Sequence, residues 1–406
     1  MTTVDHARAE AAALDEADEL RTFHERFVVA GDGLIYLDGN SLGRLPRATA
    51  ARLAEVVQSQ WGERLIRAWG EGWMELPRTL GDRLGAELLG AAPGQVAIAD
   101  STTVCFYKLA AAALSARPGR TQIITDVDNF PTDRYVLESL ASERGLEILW
   151  VKADADAGPE PSQVEELISD RTALVTFSHV NYRSAFILDA RGITALAHEA
   201  GALALWDLSH SAGAIPVDLD GDGVDLAVGC TYKYLNGGPG APAYMYVRAE
   251  HQGTLRQPIW GWLGRQDPFA MAPGYLPGEG ISAMLSGTPP VLALTAVAAG
   301  LDLVVEAGIE AIRHKSIGLT EYAIALIDDR LAPLGCSVGS PRAASRRGSH
   351  VALVHPEART LSQRLIHDGV VVDFRTPDVI RLGLSPLTTR FTDVHDGLAR
   401  VRQMLR

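Results

Sequence analysis

Lys233 is the residue in this sequence best suited to chemistry, because it lies between Tyr232 and Tyr234 where two kinds of segment meet. The apolar run 226–228 precedes it, and a turn rich in glycine and proline at 236–240 follows it. This pattern predicts a lysine at the end of a buried strand, where a loop begins. In a partly desolvated pocket, a lysine amine is a nucleophile that forms a Schiff base with a carbonyl compound. The alternative is a strand-end lysine that extends into solvent.

Asp207 ends another short apolar run, residues 203–206. A carboxylate at a strand end is the usual partner of the protonated ring nitrogen of pyridoxal phosphate, a cofactor that acts as an electron sink. Alone, Asp207 is equally consistent with a helix cap or a metal ligand. The combination of two strand-end residues, Asp207 and Lys233, therefore favours a pyridoxal phosphate site.

Two other loops carry groups that suit the same ligand. Thr102 and Thr103 follow a predicted strand and open a helix, where free backbone N–H groups and hydroxyls bind phosphate. A plain helix cap is the alternative there. After the next strand, Phe130 offers a ring that can stack on a planar ligand, and Asp133 adds a carboxylate. These loops are predicted to converge on one ligand.

Arg381 lies within the apolar segment 379–384. A guanidinium in such a setting is costly unless it is paired. A substrate carboxylate held by its planar fork is one natural partner, and an internal salt bridge is the other. The sequence alone leaves both open.

The segments that position these residues alternate between apolar strands and helices. Strands are predicted at 95–99, 122–125, 147–151, 173–178 and 202–206, and helices at 103–114, 134–144, 162–168 and 193–200. The alternation predicts an α/β fold with a mainly parallel sheet covered on both faces. Such sheets bind ligands at the carboxyl ends of their strands, which is where the candidate residues fall.

The composition changes beyond residue 247. A long helical run at 291–329 is followed by short strands such as 350–354 and 370–374, which indicates a smaller α+β domain to which the N-terminal arm returns. We therefore expect a large ligand-binding domain at 45–290 and a small domain made of 1–44 and 291–406. Earlier in the chain, Trp61, Trp69 and Trp73 indicate packing in a core or an interface.

Composition narrows the classes of function. The chain has 406 residues, 47% of them apolar, and a net charge of -13, which argues against a nucleic-acid or anionic-membrane surface. Three separated cysteines suggest reduced thiols, and the histidines lack metal-ligand spacing, so we expect no metal. No apolar run approaches ~18 residues. We expect a cytoplasmic protein with no nucleic-acid or membrane partner.

The sequence resembles the kynureninase family, which belongs to the fold-type-I pyridoxal phosphate enzymes of the class V aminotransferase superfamily. The resemblance covers nearly the whole chain and includes Arg381. It is carried by Tyr-Leu-Asp-Gly-Asn-Ser-Leu-Gly at 36–43, Asn-Phe-Pro-Thr-Asp at 129–133, His-Val-Asn-Tyr-Arg at 179–183, Asp-Leu-Ser-His-Ser at 207–211 and Tyr-Lys-Tyr-Leu-Asn-Gly-Gly-Pro-Gly at 232–240. The last block is the most specific. It implies the type-I fold, a seven-stranded sheet in the large domain, and pyridoxal phosphate as the cofactor.

The resemblance also implies roles for individual residues. Those around the cofactor are Lys233 as its covalent anchor, Asp207 and His210 at the pyridinium, Thr102, Thr103 and Tyr232 at the phosphate, Phe130 stacked on the ring, and Asp133 in its polar surround. Those around the substrate are Arg381 at the α-carboxylate, and Ser41, Trp69 and Thr288 in the pocket. Trp262 and Thr288 resemble positions that reach the phosphate of a neighbouring subunit, which implies a homodimer with shared sites.

The implied reaction is hydrolysis of L-kynurenine to anthranilate and L-alanine. The resemblance places this reaction in tryptophan catabolism, in the kynurenine pathway that leads to NAD biosynthesis. Lys233 removes the Cα proton, and Tyr232 is the expected donor of the last proton. Trp69 and Thr288 favour kynurenine over 3-hydroxykynurenine, but Cys105 and residues 184–188 depart from the family pattern and leave a ring-substituted kynurenine open. The rivals are a cysteine desulfurase or transaminase on the same scaffold, and a non-catalytic pyridoxal-binding regulator.

Overall fold

The structure is a computed structural model that describes residues 3–29, 31, 33–154 and 156–406. Its strands are β1 (Ile35–Tyr36), β2 (Val96–Ala99), β3 (Gln122–Asp126), β4 (Glu147–Val151), β5 (Thr172–Ser178), β6 (Leu203–Asp207), β7 (Leu226–Gly229), β8 (Ala243–Val247), β9 (Ser337–Val338), β10 (His350–Val354), β11 (Val370–Val371), β12 (Asp373–Arg375) and β13 (Val379–Gly383).

The α-helices are α1 (Thr3–Ala17), α2 (Arg47–Glu55), α3 (Leu76–Leu84), α4 (Thr102–Ser115), α5 (Pro131–Arg144), α6 (Pro161–Glu165), α7 (Ala190–Glu199), α8 (Ala249–Gln252), α9 (Val291–Ala307), α10 (Ile309–Leu326), α11 (Ala358–His367) and α12 (Phe391–Leu405). Short 3-10 or π-helical segments cover Arg21–Arg26, Val56–Arg64, Leu65–Trp69, Gly85–Leu89, Trp262–Gly264, Gly280–Met284, Ile327–Leu331, Ala332–Leu334 and Ala344–Arg346.

Seven strands form the main sheet, in the order β2-β8-β7-β6-β5-β3-β4. Neighbouring strands are parallel except at β8, which runs antiparallel to both β2 and β7. Every residue of β5, β6 and β7 is buried, because helices cover both faces of the sheet. The predicted α/β fold with a mainly parallel seven-stranded sheet is confirmed, and the five strands predicted between residues 95 and 206 agree with observed strands to within a residue.

The two ends of the chain meet around a second sheet. This sheet has the order β12-β13-β10-β9, and β1 pairs in parallel with β11 beside it. Helix α9 belongs to the predicted small domain, but its residues Leu294, Val297 and Leu301 pack into a core shared with the main sheet. The division into 45–290 and 1–44 with 291–406 stays a prediction.

The predicted helical run at 291–329 is two helices. Helix α9 ends at Ala307 and α10 begins at Ile309, and their axes differ by 82°. Gly308 between them has φ +78°, a backbone angle that favours glycine and ends a helix. Among the described residues no single helix is long and apolar enough to cross a membrane, and the bent pair Val291–Ala307 and Ile309–Leu334 meets that test only when taken together.

Asp225 forms hydrogen bonds that connect several segments at the end of the main sheet opposite the predicted site. It directly precedes β7, and its carboxylate is buried. Its two oxygens lie 2.9 Å from Nε2 of His198 and 2.6 Å from Nε2 of His251, and one also accepts a bond from the N–H of Ala204 at 2.8 Å. Burial opposes the ionised form, but the bonds from His198 and His251 lower the pKa of Asp225 to about 2.

We expect Asp225→Asn to lower the free energy of unfolding at pH 7 by about 2 kcal/mol, because a carboxylate pKa lowered from 3.8 to about 2 contributes roughly that much. The contribution is present above pH 4 and is lost as the pH falls towards 2, since the carboxylate is then protonated in both states. Urea unfolding at pH 7 and pH 3 measures it. Asp222→Asn is the control, because its partner Arg191 is 70% exposed. Equal stability of Asp225→Asn and the wild type at pH 7 would contradict the prediction.

Candidate active site

A cavity of about 250 Å³ opens at the carboxyl ends of β5 and β6. Its walls come from the loops and helix starts that follow several strands of the main sheet. The lining residues are Thr102, Thr103, Phe130, Thr132, Asp133, Ser178, Val180, Tyr182, Asp207, Ser209, His210, Tyr232 and Lys233. The cavity therefore brings together all eight residues predicted from the sequence to surround the cofactor from within one chain.

Lys233 lies in the loop after β7, which ends at Gly229. Its side chain is buried, and Nζ lies 2.9 Å from Nε2 of His210. Nζ is also 5.8 Å from the centre of the Phe130 ring and 6.0 Å from that of Tyr232. Burial, and then the charge of Lys233, hold the pKa of His210 well below its usual value, so this imidazole is neutral and accepts a bond from the amine.

The loop that carries Lys233 is held by contacts from distant parts of the chain. The N–H of Gly43 donates to the carbonyl oxygen of Tyr232 at 2.8 Å. Residues just before Gly43 are in turn bonded to the end of β13: the N–H of Gly383 donates to the Leu37 oxygen at 2.7 Å, and that of Gly39 to the Gly383 oxygen at 3.2 Å. The position of the amine thus depends on both ends of the sequence.

Asp207 and Asp133 are two buried carboxylates side by side. Asp207 ends β6 and accepts a bond from the N–H of Ser209 at 2.7 Å, and Asp133 lies in the first turn of α5. Burial, and then the charge of Asp207, raise the pKa of Asp133 well above its usual value. Among the described residues, Asp133 Oδ2 and His210 Nδ1 are buried without a hydrogen-bond partner. Because Nε2 of His210 accepts from Lys233, its Nδ1 carries the proton and is an unpaired donor, whereas Asp133 Oδ2 is an unpaired acceptor. The carboxylate pair with this free oxygen fits a cationic heterocycle such as protonated pyridoxal phosphate.

The start of α4 carries Thr102 and Thr103, where the sequence predicts an anion site. Ser101 is the N-cap, and its Oγ accepts a bond from the Val104 N–H at 3.4 Å, so the capping interpretation is correct and the phosphate site stays a prediction. Asp100 has φ +51° and is held by buried Lys108, whose Nζ lies 2.5 Å from its carboxylate. Thr102 and Thr103 line the cavity where the free N–H groups of a 14-residue helix favour phosphate.

Arg381 lies on β13 and makes the internal salt bridge that the sequence left open. Nε donates to Asp373 at 2.8 Å, Nη1 to the carbonyl oxygen of Tyr182 at 2.7 Å, and Nη2 to Ser41 Oγ at 3.0 Å. Tyr182 lines the cavity, so Arg381 and Ser41 lie in the layer directly behind it. Contact of Arg381 with a substrate carboxylate stays a prediction.

Trp69, Trp262 and Thr288 form a separate group. The Trp69 and Trp262 rings are 6.4 Å apart edge to face, and Trp69 and Thr288 line an apolar groove of about 440 Å³. Within the described part of the chain, none of the three belongs to the lining of the Lys233 cavity. These three predicted site residues therefore do not join the cavity of their own chain.

Sequence reasoning missed Asp373 and Arg375. Both lie on β12, where residues two apart face the same side, and Asp373 is in register with Arg381 on β13. An acid and a base at alternate positions of one strand, close before a strand with a buried arginine, could have indicated this cluster. Lys108 was also missed, and its signal was a single charge within the apolar helix α4.

Comparison with known proteins identifies the family. The chain is 45% identical over 405 residues to a kynureninase of Burkholderia pseudomallei (strain 1106a), covering 98% of this chain and 95% of that protein. The chain belongs to the kynureninase family. A kynureninase of Pseudomonas fluorescens is 42% identical over the same shares of the two chains, and residues 312–401 match the kynureninase C-terminal domain.

Solved structures share the fold of this kynureninase-family chain at low sequence identity. The apo cysteine desulfurase from Thermococcus onnurineus NA1 has a TM-score of 0.79 at 18% identity, covering 92% of this chain and 94% of that one. A mutant of C-DES, with glycine covalently linked to the PLP cofactor, has a TM-score of 0.80 at 17% identity, covering 91% and 97%. These neighbours confirm the predicted type-I fold.

We expect Gly43→Ala to displace the Lys233 loop, because an added Cβ would overlap the Lys233 carbonyl oxygen and the side chain of Asn236. Such overlap with backbone costs about 1–3 kcal/mol of unfolding free energy. Thermal unfolding should show a lower midpoint, and added pyridoxal phosphate should give a weaker imine absorbance band. Gly253→Ala is the control, since a Cβ there meets nothing within 4 Å. Wild-type stability and absorbance in Gly43→Ala would contradict this account.

Proposed function

We propose that this chain is a pyridoxal-phosphate-dependent hydrolase that cleaves the Cβ–Cγ bond of L-kynurenine to give anthranilate and L-alanine. The observation that carries the proposal is the 45% identity to a kynureninase over 98% of the chain. The cavity beside Lys233 supports it, because a buried amine, a carboxylate pair and a helix start are the groups that this cofactor requires.

The cofactor contacts are proposed for the residues that line the cavity. The start of α4, at Thr102 and Thr103, binds the phosphate together with Tyr232, and the Phe130 ring stacks on the heterocycle. Asp207 pairs with the ring nitrogen, and the remaining polar contacts come from Asp133 and His210. When bound, pyridoxal phosphate supplies an electron sink for the substrate Cα.

Lys233 and Tyr232 are the proposed proton carriers. Lys233 removes the Cα proton, and neutral His210, 2.9 Å from its nitrogen, orients the amine. Water adds to the γ-carbonyl, and cleavage of Cβ–Cγ releases anthranilate. Burial, and then the neighbouring Cys230, raise the pKa of Tyr232, so its phenol keeps the proton that the alanine fragment needs. Arg381, Ser41, Trp69 and Thr288 are the proposed substrate contacts.

A homodimer with shared sites is also proposed, in which Trp262 and Thr288 reach the phosphate of the partner's site. Two observations support it. Both residues lie outside the cavity of their own chain, and Trp61, which lines the neighbouring apolar groove, is 56% exposed. Exposed apolar surface of this kind indicates an interface. A cytoplasmic location and a place in tryptophan catabolism complete the proposal.

Among the alternatives, no observation favours a cysteine desulfurase. That chemistry needs a reactive cysteine on a mobile loop, but Cys336 is only 4% exposed, and burial raises the pKa of its thiol to about 11. The other cysteines, Cys105 and Cys230, are buried as well. A ring-substituted kynurenine remains the alternative substrate.

Purified protein with pyridoxal phosphate should convert L-kynurenine to anthranilate and alanine in equal amounts, and convert 3-hydroxykynurenine less efficiently. Fluorescence of the aromatic amine and alanine quantification measure this. Lys233→Ala should lose the imine absorbance and turnover together, because it removes the amine. Lys152→Ala, at an exposed position, should keep both. Full turnover by Lys233→Ala would refute the role of the lysine, and sulfide release from cysteine without anthranilate would refute the reaction.

Subunit mixing tests the shared site. If Trp262 serves the partner's site, Lys233→Ala and Trp262→Ala subunits mixed after reversible dissociation should recover about one quarter of wild-type activity, because one site in each mixed dimer has both native residues. Activity is measured at a limiting concentration of cofactor, where each variant on its own has its lowest activity. Recovery no greater than the mean of the two separate variants would show that Trp262 acts within its own chain.

A further inference from the structure

Arg381 has little capacity left for a substrate carboxylate. Two of its bonds go to Asp373, one from Nε at 2.8 Å and one from Nη2. The others go to the Tyr182 carbonyl oxygen and to Ser41 Oγ. Within the described structure, these four bonds leave one of the five guanidinium N–H groups, on Nη1, uncommitted. A carboxylate binds a guanidinium best through two parallel bonds, so Arg381 alone does not offer that fork.

Arg375, in contrast to Arg381, has more hydrogen-bond donors than acceptors to receive them. It lies on the same face of β12 as Asp373, and its Nη2 is 2.6 Å from Asp373 Oδ2. Nη1 reaches only the carbonyl oxygen of its neighbour Phe374, at 3.4 Å, and buried Nε has no acceptor among the described residues. The side chain is 35% exposed, compared with 2% for Arg381. Arg375 is thus both accessible and short of acceptors.

The position and charge of Arg375 suit an incoming anion. Its charge is the smallest of those that lower the pKa of buried His210, after burial, Lys233, His350 and Arg381, so Arg375 lies within electrostatic range of the residue that contacts the reactive amine. Two guanidiniums here share Asp373. The other acid of the cluster is Asp38, whose pKa is raised to about 6 by burial and then by the charge of Asp373. Nε and Nη1 of Arg375 are therefore the donors that an incoming carboxylate would bind.

We propose that Arg375 is a second guanidinium contact for the α-carboxylate of the amino-acid substrate, beside Arg381, and that Asp373 positions both. This inference rests on the proposed function. The carboxylate bridges the uncommitted N–H of Arg381 and the free donors of Arg375, while Asp373 holds the two side chains in place.

The test compares Arg375→Gln with the wild type on two ligands, L-kynurenine and kynuramine, which is the same molecule without the carboxylate. Binding of kynurenine should weaken about ten- to a hundredfold, the usual effect of losing a bond to a charged group. The loss should appear mainly in KM, because the contact is the same before and during the reaction. Binding of kynuramine should change by less than about twofold, since it has no group for Arg375 to bind.

Two further variants separate contact from structure. Arg359 lies over the ring of Phe374, the residue before Arg375. Arg359→Gln removes this nearby charge and should leave the binding of both ligands unchanged. Arg375→Lys should recover part of the affinity for kynurenine, because it keeps the charge and loses the fork. If Arg375→Gln weakens kynurenine and kynuramine equally, or neither, the proposal is wrong.

The outcome is distinguishable from failure of the proposed function. Turnover of kynurenine by the wild type tests the reaction itself. Binding of the two ligands is read separately, from the absorbance change of the bound cofactor, and does not require turnover. A wild type that binds kynurenine more tightly than kynuramine but does not hydrolyse it would refute the reaction, and the effect of Arg375→Gln on that difference would still decide the role of Arg375.

Discussion

The contact between Gly43 and the loop at Tyr232 is the constraint on which the site depends. A backbone bond of 2.8 Å joins them, and there is no room for a side chain at Gly43. Because residues 37–39 are also bonded to Gly383, the loop with the reactive amine, the N-terminal turn and the strand with Arg381 form one unit. Ser41 and Arg381 contact each other behind the cavity for this reason, although hundreds of residues separate them in sequence.

Burial determines the chemistry of the groups around the amine. The cavity contains a neutral imidazole at His210, a carboxyl at Asp133 whose pKa is raised, and a phenol at Tyr232 that retains its proton. In each case desolvation, together with one or two named neighbours, shifts the pKa in the direction that favours the uncharged form. Asp133 Oδ2 is a buried oxygen without a hydrogen-bond partner among the described residues, beside the carboxylate of Asp207, and a bound cation would pair with it.

Much of the site could be predicted from sequence because the residues concerned follow strands of a parallel sheet. Asp207 and Lys233 needed only apolar runs and turn signals, and the topology of the sheet places strand ends together. Asp373 and Arg375 could not be found in this way, since their importance comes from pairing with Arg381 across two strands of another sheet. The break at Gly308 was missed because the apolar pattern continues through it, and only the backbone angle of the glycine shows the bend.

The backbone bonds that join Gly383 to Leu37, as donor, and to Gly39, as acceptor, bear on the order in which the chain assembles. These bonds to the turn that supports the Lys233 loop can form only after β13 (Val379–Gly383) has been synthesised. Contacts of such long sequence separation form late, because the intervening loop must first be closed. A growing polypeptide on the ribosome therefore lacks these two bonds until β13 has been made, and the support of the Lys233 loop is completed late in synthesis.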